Sequence, residues 1–264
     1  MKTAVVQMCS GGDLDRNICS AEHAVRQAAG DGAELIVLPE VFVYRGAMDR
    51  KTRARIAEPL HGELTGRFRG LAKECRTGIV LGSFYEQIPG TDRVYNTCMT
   101  IDDNGEVLGI YRKQRLFQAV LKDRTINEAA TFKAGRRKCV FTYCRFRMGC
   151  AICYDLRFSE IFQRYASAGC DVLAVPSAFT HETGKLHWET LVRARAIDCQ
   201  AYVLAANQCG RGAGGARAFG SSMIVDPWGC IVARASAGRP ETIFADISRS
   251  VVRDARRKIG MNWE

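Results

Sequence analysis

A carboxylate, an ammonium and a thiol, each at the end of an apolar run, are the residues whose types and spacing can do chemistry. Glu40 closes the run Leu35-Ile36-Val37-Leu38-Pro39-Glu40. Lys113 lies 73 residues on, in Tyr111-Arg112-Lys113, and Cys153 follows 40 later, in Ala151-Ile152-Cys153-Tyr154-Asp155-Leu156-Arg157. A thiol becomes a strong nucleophile when a base takes its proton, and a carbonyl under attack develops negative charge that a fixed cation stabilises. A carboxylate base, a lysine cation and a cysteine nucleophile supply both needs. All three sit where strand-like sequence gives way to polar sequence, which is where parallel sheets present reactive side chains.

Each residue also has an ordinary reading. Cys153 reads equally as a buried free cysteine, the state expected of the other eleven cysteines among the chain's twelve. Against that, the polar cluster Tyr154-Asp155-Leu156-Arg157 suits a pocket rim, and a strand-to-helix turn would expose the thiol and aim backbone N–H groups at a bound carbonyl. Glu40 reads otherwise as a helix-terminal or surface carboxylate, and Lys113 as one more member of a basic loop with Arg112 and Arg115. Cys150 and Cys153 form a Cys-x-x-Cys, a redox or metal half-site. Cys150, however, falls inside the apolar run Met148 to Ile152, and no second pair has zinc spacing. No metal site is expected.

These segments, in order, resemble the carbon–nitrogen hydrolase (nitrilase) superfamily. The resemblance extends over Thr3 to Met8, His187-Trp188-Glu189 through Arg193-Ala194-Arg195-Ala196, and the turn Asp226-Pro227-Trp228-Gly229. It implies a Glu40–Lys113–Cys153 triad that cleaves non-peptide C–N bonds, and a second glutamate, Glu128, that helps hold substrate and Lys113. It also implies an α/β four-layer α-β-β-α sandwich, one domain over residues 1–264, that forms a homodimer or higher homo-oligomer. Tyr154-Asp155 stands where true nitrilases usually carry Trp-Glu, so the chain is similar to the small aliphatic amidases, including the ω-amidases. Two positions depart from that branch: Arg115 and Ser221 each stand where a histidine is usual. The implied substrate is a small amide, with an N-carbamoyl compound as the alternative within the superfamily and a redox protein built on Cys150 and Cys153 outside it. Tyr154, Arg157 and Phe179 are the candidate substrate-binding residues. Arg157 would hold a distal carboxylate unless it pairs structurally with Asp155 or Glu160. No cofactor is called for.

The elements that must position these residues alternate along the chain. Thr3–Met8, 35–38, 79–81, 94–101, 106–111, 140–143, 146–152, 172–175, 202–206, 222–225, 231–233 and 243–247 read as strands. Helical spacing appears at Ile18, Ala21, Val25 and Ala28, and again over 64–75, 158–168 and 187–199. Asp102-Asp103-Asn104-Gly105 reads as a hairpin turn that needs positive φ. Residues 112–138, charged and poorly periodic, read as a long functional loop.

Composition bounds the remaining possibilities. A net charge of +10 invites nucleic acid, but the arginines are dispersed from Arg16 to Arg257. The groups Arg50–Arg55 and Arg136–Lys138 lack the interleaved aromatics of a stacking platform. A positive field that draws in a carboxylate-bearing substrate is the better use. The first apolar stretch is too short for a signal peptide and no run reaches membrane length, so no membrane partner is expected. Twelve cysteines without an export signal point to a reducing compartment, the cytoplasm.

Overall fold

Strands β1 (Lys2–Gln7) and β2 (Leu35–Val37), with helix α1 (Leu14–Gly30) between them, set the pattern of the chain. The computed structural model describes residues 1–121 and 124–261; residues 122 and 123 of the expected loop, and the last three of the expected 1–264 domain, lie outside the described residues. After β2 come α2 (Arg50–Ile56), α3 (Glu63–Cys75), β3 (Gly78–Gln87), β4 (Val94–Ile101), β5 (Val107–Arg112), β6 (Gln118–Leu121) and β7 (Arg124–Asn127). The second half runs β8 (Val140–Tyr143), β9 (Phe146–Cys150), α4 (Ser159–Ser167), β10 (Val172–Ala174), α5 (His181–Cys199), β11 (Tyr202–Ala205), β12 (Cys209–Arg211) and β13 (Arg217–Phe219). It closes with β14 (Met223–Val225), β15 (Ile231–Arg234), β16 (Glu241–Asp246) and α6 (Arg249–Lys258).

Two six-stranded sheets result, ordered β16-β1-β2-β3-β4-β5 and β15-β14-β11-β10-β9-β8. Their central strands pair in parallel, β1 with β2 and β2 with β3 in one sheet, β9 with β10 and β10 with β11 in the other. Side chains alternate across a strand, so a strand with an interior on both faces must be apolar throughout. In β2, Leu35 and Val37 join a core between the two sheets, whereas Ile36 and Leu38 join one under α1 and α3. In β10 the split repeats, with Val172 and Ala174 between the sheets and Leu173 and Val175 under α4 and α5. Three cores make four layers, as the resemblance implies.

The helices are built to cover these faces. Asp13 caps α1 by accepting from Arg16 N, and Ile18, Ala21, Val25 and Ala28 form its buried stripe. Thr180 caps α5, which therefore starts at His181, six residues before its expected start; Trp188, Val192, Ala196 and Cys199 are its buried stripe. Full burial of an aliphatic or aromatic side chain contributes about 1.5–3 kcal/mol. The Asp102–Gly105 turn has Gly105 at φ +81°, as its sequence requires.

Residues 112–138 depart from the expected loop. Its centre is a hairpin, with Gln118 paired to Asn127 and Ala119 to Ile126. Helices α2 and α6 and the short β12–β13 ribbon also lie outside the elements read from sequence. Four of the eleven cysteines expected to be buried are exposed: Cys9, Cys19, Cys144 and Cys230.

Candidate active site

Glu40 follows β2 on a turn that the backbone holds under strain. Val41 has φ +48°, left-handed geometry that a β-branched residue rarely adopts. Val41 N donates to Ser83 Oγ at 2.8 Å, and Gln208 Nε2 donates to the Glu40 carbonyl at 3.1 Å. Gly82 on β3 passes so close that a Cβ there would meet Pro39 O at 2.1 Å, so only glycine fits beneath this turn.

Lys113 leaves the end of β5 and turns inward, 1% exposed. Its Nζ lies 2.9 Å from Glu40 Oε1 and 2.9 Å from Glu128 Oε2. Asn96 Nδ2 donates to the same Glu40 oxygen at 2.9 Å. Glu128 opens a one-turn 3-10 helix directly after β7, and its Oε2 accepts from Phe117 N at 2.7 Å. The β6–β7 hairpin thus begins beside one residue of the site and ends at another. Burial draws the Lys113 ammonium down, but Glu128 and Glu40 outweigh it and hold the charge well above the ordinary lysine range. Burial likewise pushes Glu128 up, against the pull of Lys113.

Cys153 comes from the opposite sheet, three residues past β9, and opens the 3-10 turn Cys153–Arg157 at φ +49°. Its backbone N–H donates to Pro176 O at 2.9 Å. Desolvation and the neighbouring Glu40 carboxylate raise the thiol well above the ordinary cysteine range, with Lys113 acting in the other direction.

Asp155 holds the turn in place. Its Oδ2 accepts from Ile152 N at 2.9 Å and from Tyr111 Oη at 2.7 Å, and its Oδ1 accepts from Arg115 N at 2.8 Å. One buried carboxylate therefore ties the cysteine turn to the segment that carries Lys113. Burial pushes its carboxyl up to about 6, although all three donors work to lower it.

A cavity of about 160 Å³ opens onto Glu40, Glu128 and Cys153, with Tyr85, Phe117, Phe132, Tyr154 and Phe179 as aromatic walls. Tyr154, Arg157 and Phe179, the expected substrate-binding residues, all line it. Lys113 is not among the wall residues, and its Nζ bonds two carboxylates that are. A larger groove of about 920 Å³, between α1 and the β1–β16 edge, includes none of the expected site residues.

Arg157 corrects an expectation, because it pairs with neither Asp155 nor Glu160. Asp155 is taken by the three donors above, and Glu160 by Arg115 at 2.6 Å. The Arg157 guanidinium lies over the rings of Tyr154 and Phe179, at 5.8 and 5.6 Å, and both terminal nitrogens approach His187 Nδ1 at 3.2 Å. A guanidinium only donates, so His187 Nδ1 accepts. The two departures from the ω-amidase-like pattern lie outside the cavity wall. Arg115 stacks on Phe158, and Ser221 accepts from Trp188 Nε1 through its carbonyl, one ring removed from Phe179.

Asn96, Gln208 and the role of Asp155 escape the sequence reading. Asn96 and Gln208 reach Glu40 from 56 and 168 residues away, and nothing in their local sequence marks them. Asp155 carries a faint signal, an acid set between Tyr154 and Leu156 two positions after Cys153.

The carbon–nitrogen hydrolase family model matches residues 2–257. The deaminated glutathione amidase of Bos taurus is 37% identical over 261 residues, covering 97% of this chain and 79% of the relative. The omega-amidase NIT2 of Pongo abelii is 36% identical over 261 residues, covering 98% and 92%. Among solved structures, the C. elegans NitFhit protein superposes with a TM-score of 0.89 at 34% identity. The match takes in 97% of this chain, which spans 63% of that protein's length.

Proposed function

The chain belongs to the carbon–nitrogen hydrolase family, and from that premise we propose that it is an amidase that cleaves the C–N bond of a small linear amide through a Cys153 thioester. Glu40 takes the Cys153 proton as the thiolate attacks the amide carbon. Lys113 and the Tyr154 N–H, in the first turn of its 3-10 helix where backbone donors are left free of the helix ladder, stabilise the oxyanion. Ammonia leaves with the proton from Glu40, which then activates the water that releases the acid. Glu128 fixes Lys113 and completes the cavity floor. The chemistry calls for no metal or organic cofactor. The observation that carries this reading is the convergence of a thiol on a strained turn with a hydrogen-bonded Glu40–Lys113–Glu128 cluster at one cavity.

The substrate class is an ω-amide of a short dicarboxylic acid. Arg157 lines the cavity with no carboxylate partner among the described residues, and it supports this class by offering a cation to a distal carboxylate. The relatives above are named as amidases, which favours an amide over an N-carbamoyl compound. Residues 1–264 would act as one catalytic domain. A cytoplasmic setting suits twelve free thiols, and none of the described helices is long and apolar enough to cross a membrane. A homodimer or higher homo-oligomer would cover exposed apolar side chains such as Leu186 and Ile197 on α5 and Val232 on β15.

The test is ammonia release from a panel of small amides by the wild type, Cys153→Ala and Cys153→Ser. Both variants should be inactive while remaining folded, because alanine occupies the thiol's space at modest cost and a serine hydroxyl is far harder to ionise. Release within tenfold of wild type by either variant refutes the nucleophile. Strong preference for N-carbamoyl amines moves the enzyme to the carbamoylase branch.

A further inference from the structure

Cys9 and Cys209 meet on the far side of the Glu40 turn. Met8 and Gln208 form a parallel bridge, and Cys209 N donates to Met8 O at 2.8 Å. Cys9 and Cys209 are therefore the next residues in register on two parallel segments, and their side chains leave the same face. Burial first, and then the neighbouring Cys9 thiol, push the Cys209 thiol up. Cys9 is exposed, whereas Cys209 is fully buried. The Cys9 sulfur lies over Gly210, where a Cβ would meet it at 2.5 Å, and 3.8 Å from Arg211 O. Arg45 stands beside both. Its guanidinium donates to the carbonyls of Cys209, Gly210 and Ala216, at 3.0, 3.3 and 3.0 Å, and places a fixed positive charge near the two sulfurs. Cys98, Cys139 and Cys150, which also neighbour one another, are all buried.

We propose that Cys9 and Cys209 are a modification site, a dithiol that a hydroperoxide converts into a disulfide. The Cys9 thiolate attacks the peroxide, the O–O bond breaks, the alcohol or water leaves and Cys9 becomes a sulfenic acid. The Cys209 sulfur then displaces the sulfenic oxygen as water and the S–S bond forms. Two thiols and one hydroperoxide give one disulfide, one alcohol (or water) and one water, with two electrons passing from sulfur to oxygen. The exposed thiol meets the oxidant and the buried one resolves it.

The bond would be felt at the active site because its neighbours clamp Glu40. Gln208 donates to the Glu40 carbonyl and to Ser10 Oγ, its own oxygen accepts from Ser10 N, and Ser10 Oγ donates to Phe42 O. Drawing Cys9 and Cys209 into disulfide geometry shifts Ser10 and Gln208 together, and with them the strained turn at Glu40. The bond itself does not depend on the amidase reading; only its effect on turnover does.

Cys153→Ser protein, in which oxidation of the candidate nucleophile cannot contribute, should be treated with hydrogen peroxide, quenched with an alkylating agent and digested. A dithiothreitol-sensitive peptide pair joining Cys9 to Cys209 is expected, absent when Cys9→Ser is added. Recovery of both as alkylated thiols, or of Cys9 as sulfinic acid with Cys209 free, overturns the site. With Cys153 intact, a peroxide dose that links half the molecules should halve turnover, restored by dithiothreitol, while Cys9→Ser alone keeps its rate at that dose. Equal loss in both chains overturns the coupling to Glu40.

Discussion

Replacing Asp155 with asparagine tests whether one buried carboxylate holds the cysteine turn against the Lys113 segment. Burial lifts its carboxyl to about 6, from 3.8 for an ordinary aspartate, despite donors at Ile152 N, Tyr111 Oη and Arg115 N. Between these two values the folded chain binds a proton that the unfolded chain has released. The group therefore adds stability as pH falls through about 6, and that gain is complete only below the unfolded value. Linkage puts the increment at about 2 kcal/mol between pH 7 and pH 4.5. Asparagine cannot titrate, and it presents an amide N–H₂ to donors that need acceptors, at a cost of about 1–3 kcal/mol at pH 7. Urea unfolding of both proteins, followed by tryptophan fluorescence at the two pH values, isolates the group because the other titrations cancel in the difference. Wild type should be the more stable at pH 7, and its lead should widen by about 2 kcal/mol at pH 4.5. A lead that stays constant or shrinks refutes the reasoning, since a carboxylate favoured by its donors over its desolvation would reverse the sign. The variant should also lose kcat at pH 7, because the turn and the Lys113 segment no longer share a tie.

Three further outcomes separate the roles of the remaining groups. Glu40→Gln keeps the shape but removes the basic oxygen and should slow turnover by roughly 10²–10⁴; full rate in Glu40→Gln with loss in Glu128→Gln would reverse the two glutamates. Lys113→Ala leaves two buried carboxylates facing each other and should cost about 3–5 kcal/mol in urea unfolding, a loss smaller than 1 kcal/mol arguing against the buried cluster. Arg157→Met should lower kcat/KM for a carboxylate-bearing amide by about 10–100-fold, the worth of a hydrogen bond to a charged group, and leave a neutral amide unaffected; equal loss on both would show that Arg157 shapes the wall and reads no charge.

Much of this arrangement is legible in the chain because burial on two faces writes an unbroken apolar run. Leu35 to Leu38, Met148 to Ile152 and Val172 to Val175 announce their strands, and Glu40 and Cys153, just past the first two runs, line the cavity. The β6–β7 hairpin is silent because none of its described side chains joins the three cores; Val120 on β6 is 86% exposed. Helices α2 and α6 are silent for a related reason. Only Ile56 is buried on the first, and Val252 and Ala255 on the second, so arginines and lysines dominate both patterns. The partners of Asp155 were out of reach because Tyr111 and Arg115 lie 44 and 40 residues away, across the gap between the sheets. The expected pairing of Arg157 with Asp155 or Glu160 rested on proximity in sequence, and those longer-range partners claimed both acids first.

The site straddles the two sheets, and this accounts for its strain. Glu40 and Lys113 end strands of one sheet, whereas Cys153 follows a strand of the other. Val41 and Cys153, on the two sides of the cavity, are both left-handed, at a cost of about 1–2 kcal/mol each for residues with a Cβ. Neither turn would persist alone. The first is fixed by Ser83 Oγ from its own sheet and by Gln208 from beyond the other. The second is fixed by Asp155, which reaches back across the inter-sheet core to Tyr111. Part of what stabilises each strained turn, Gln208 on the first and Tyr111 on the second, therefore exists only when the sheets are docked. A chain with both sheets formed but undocked would carry Glu40, Lys113, Glu128 and Cys153 and still have no cavity in which they meet.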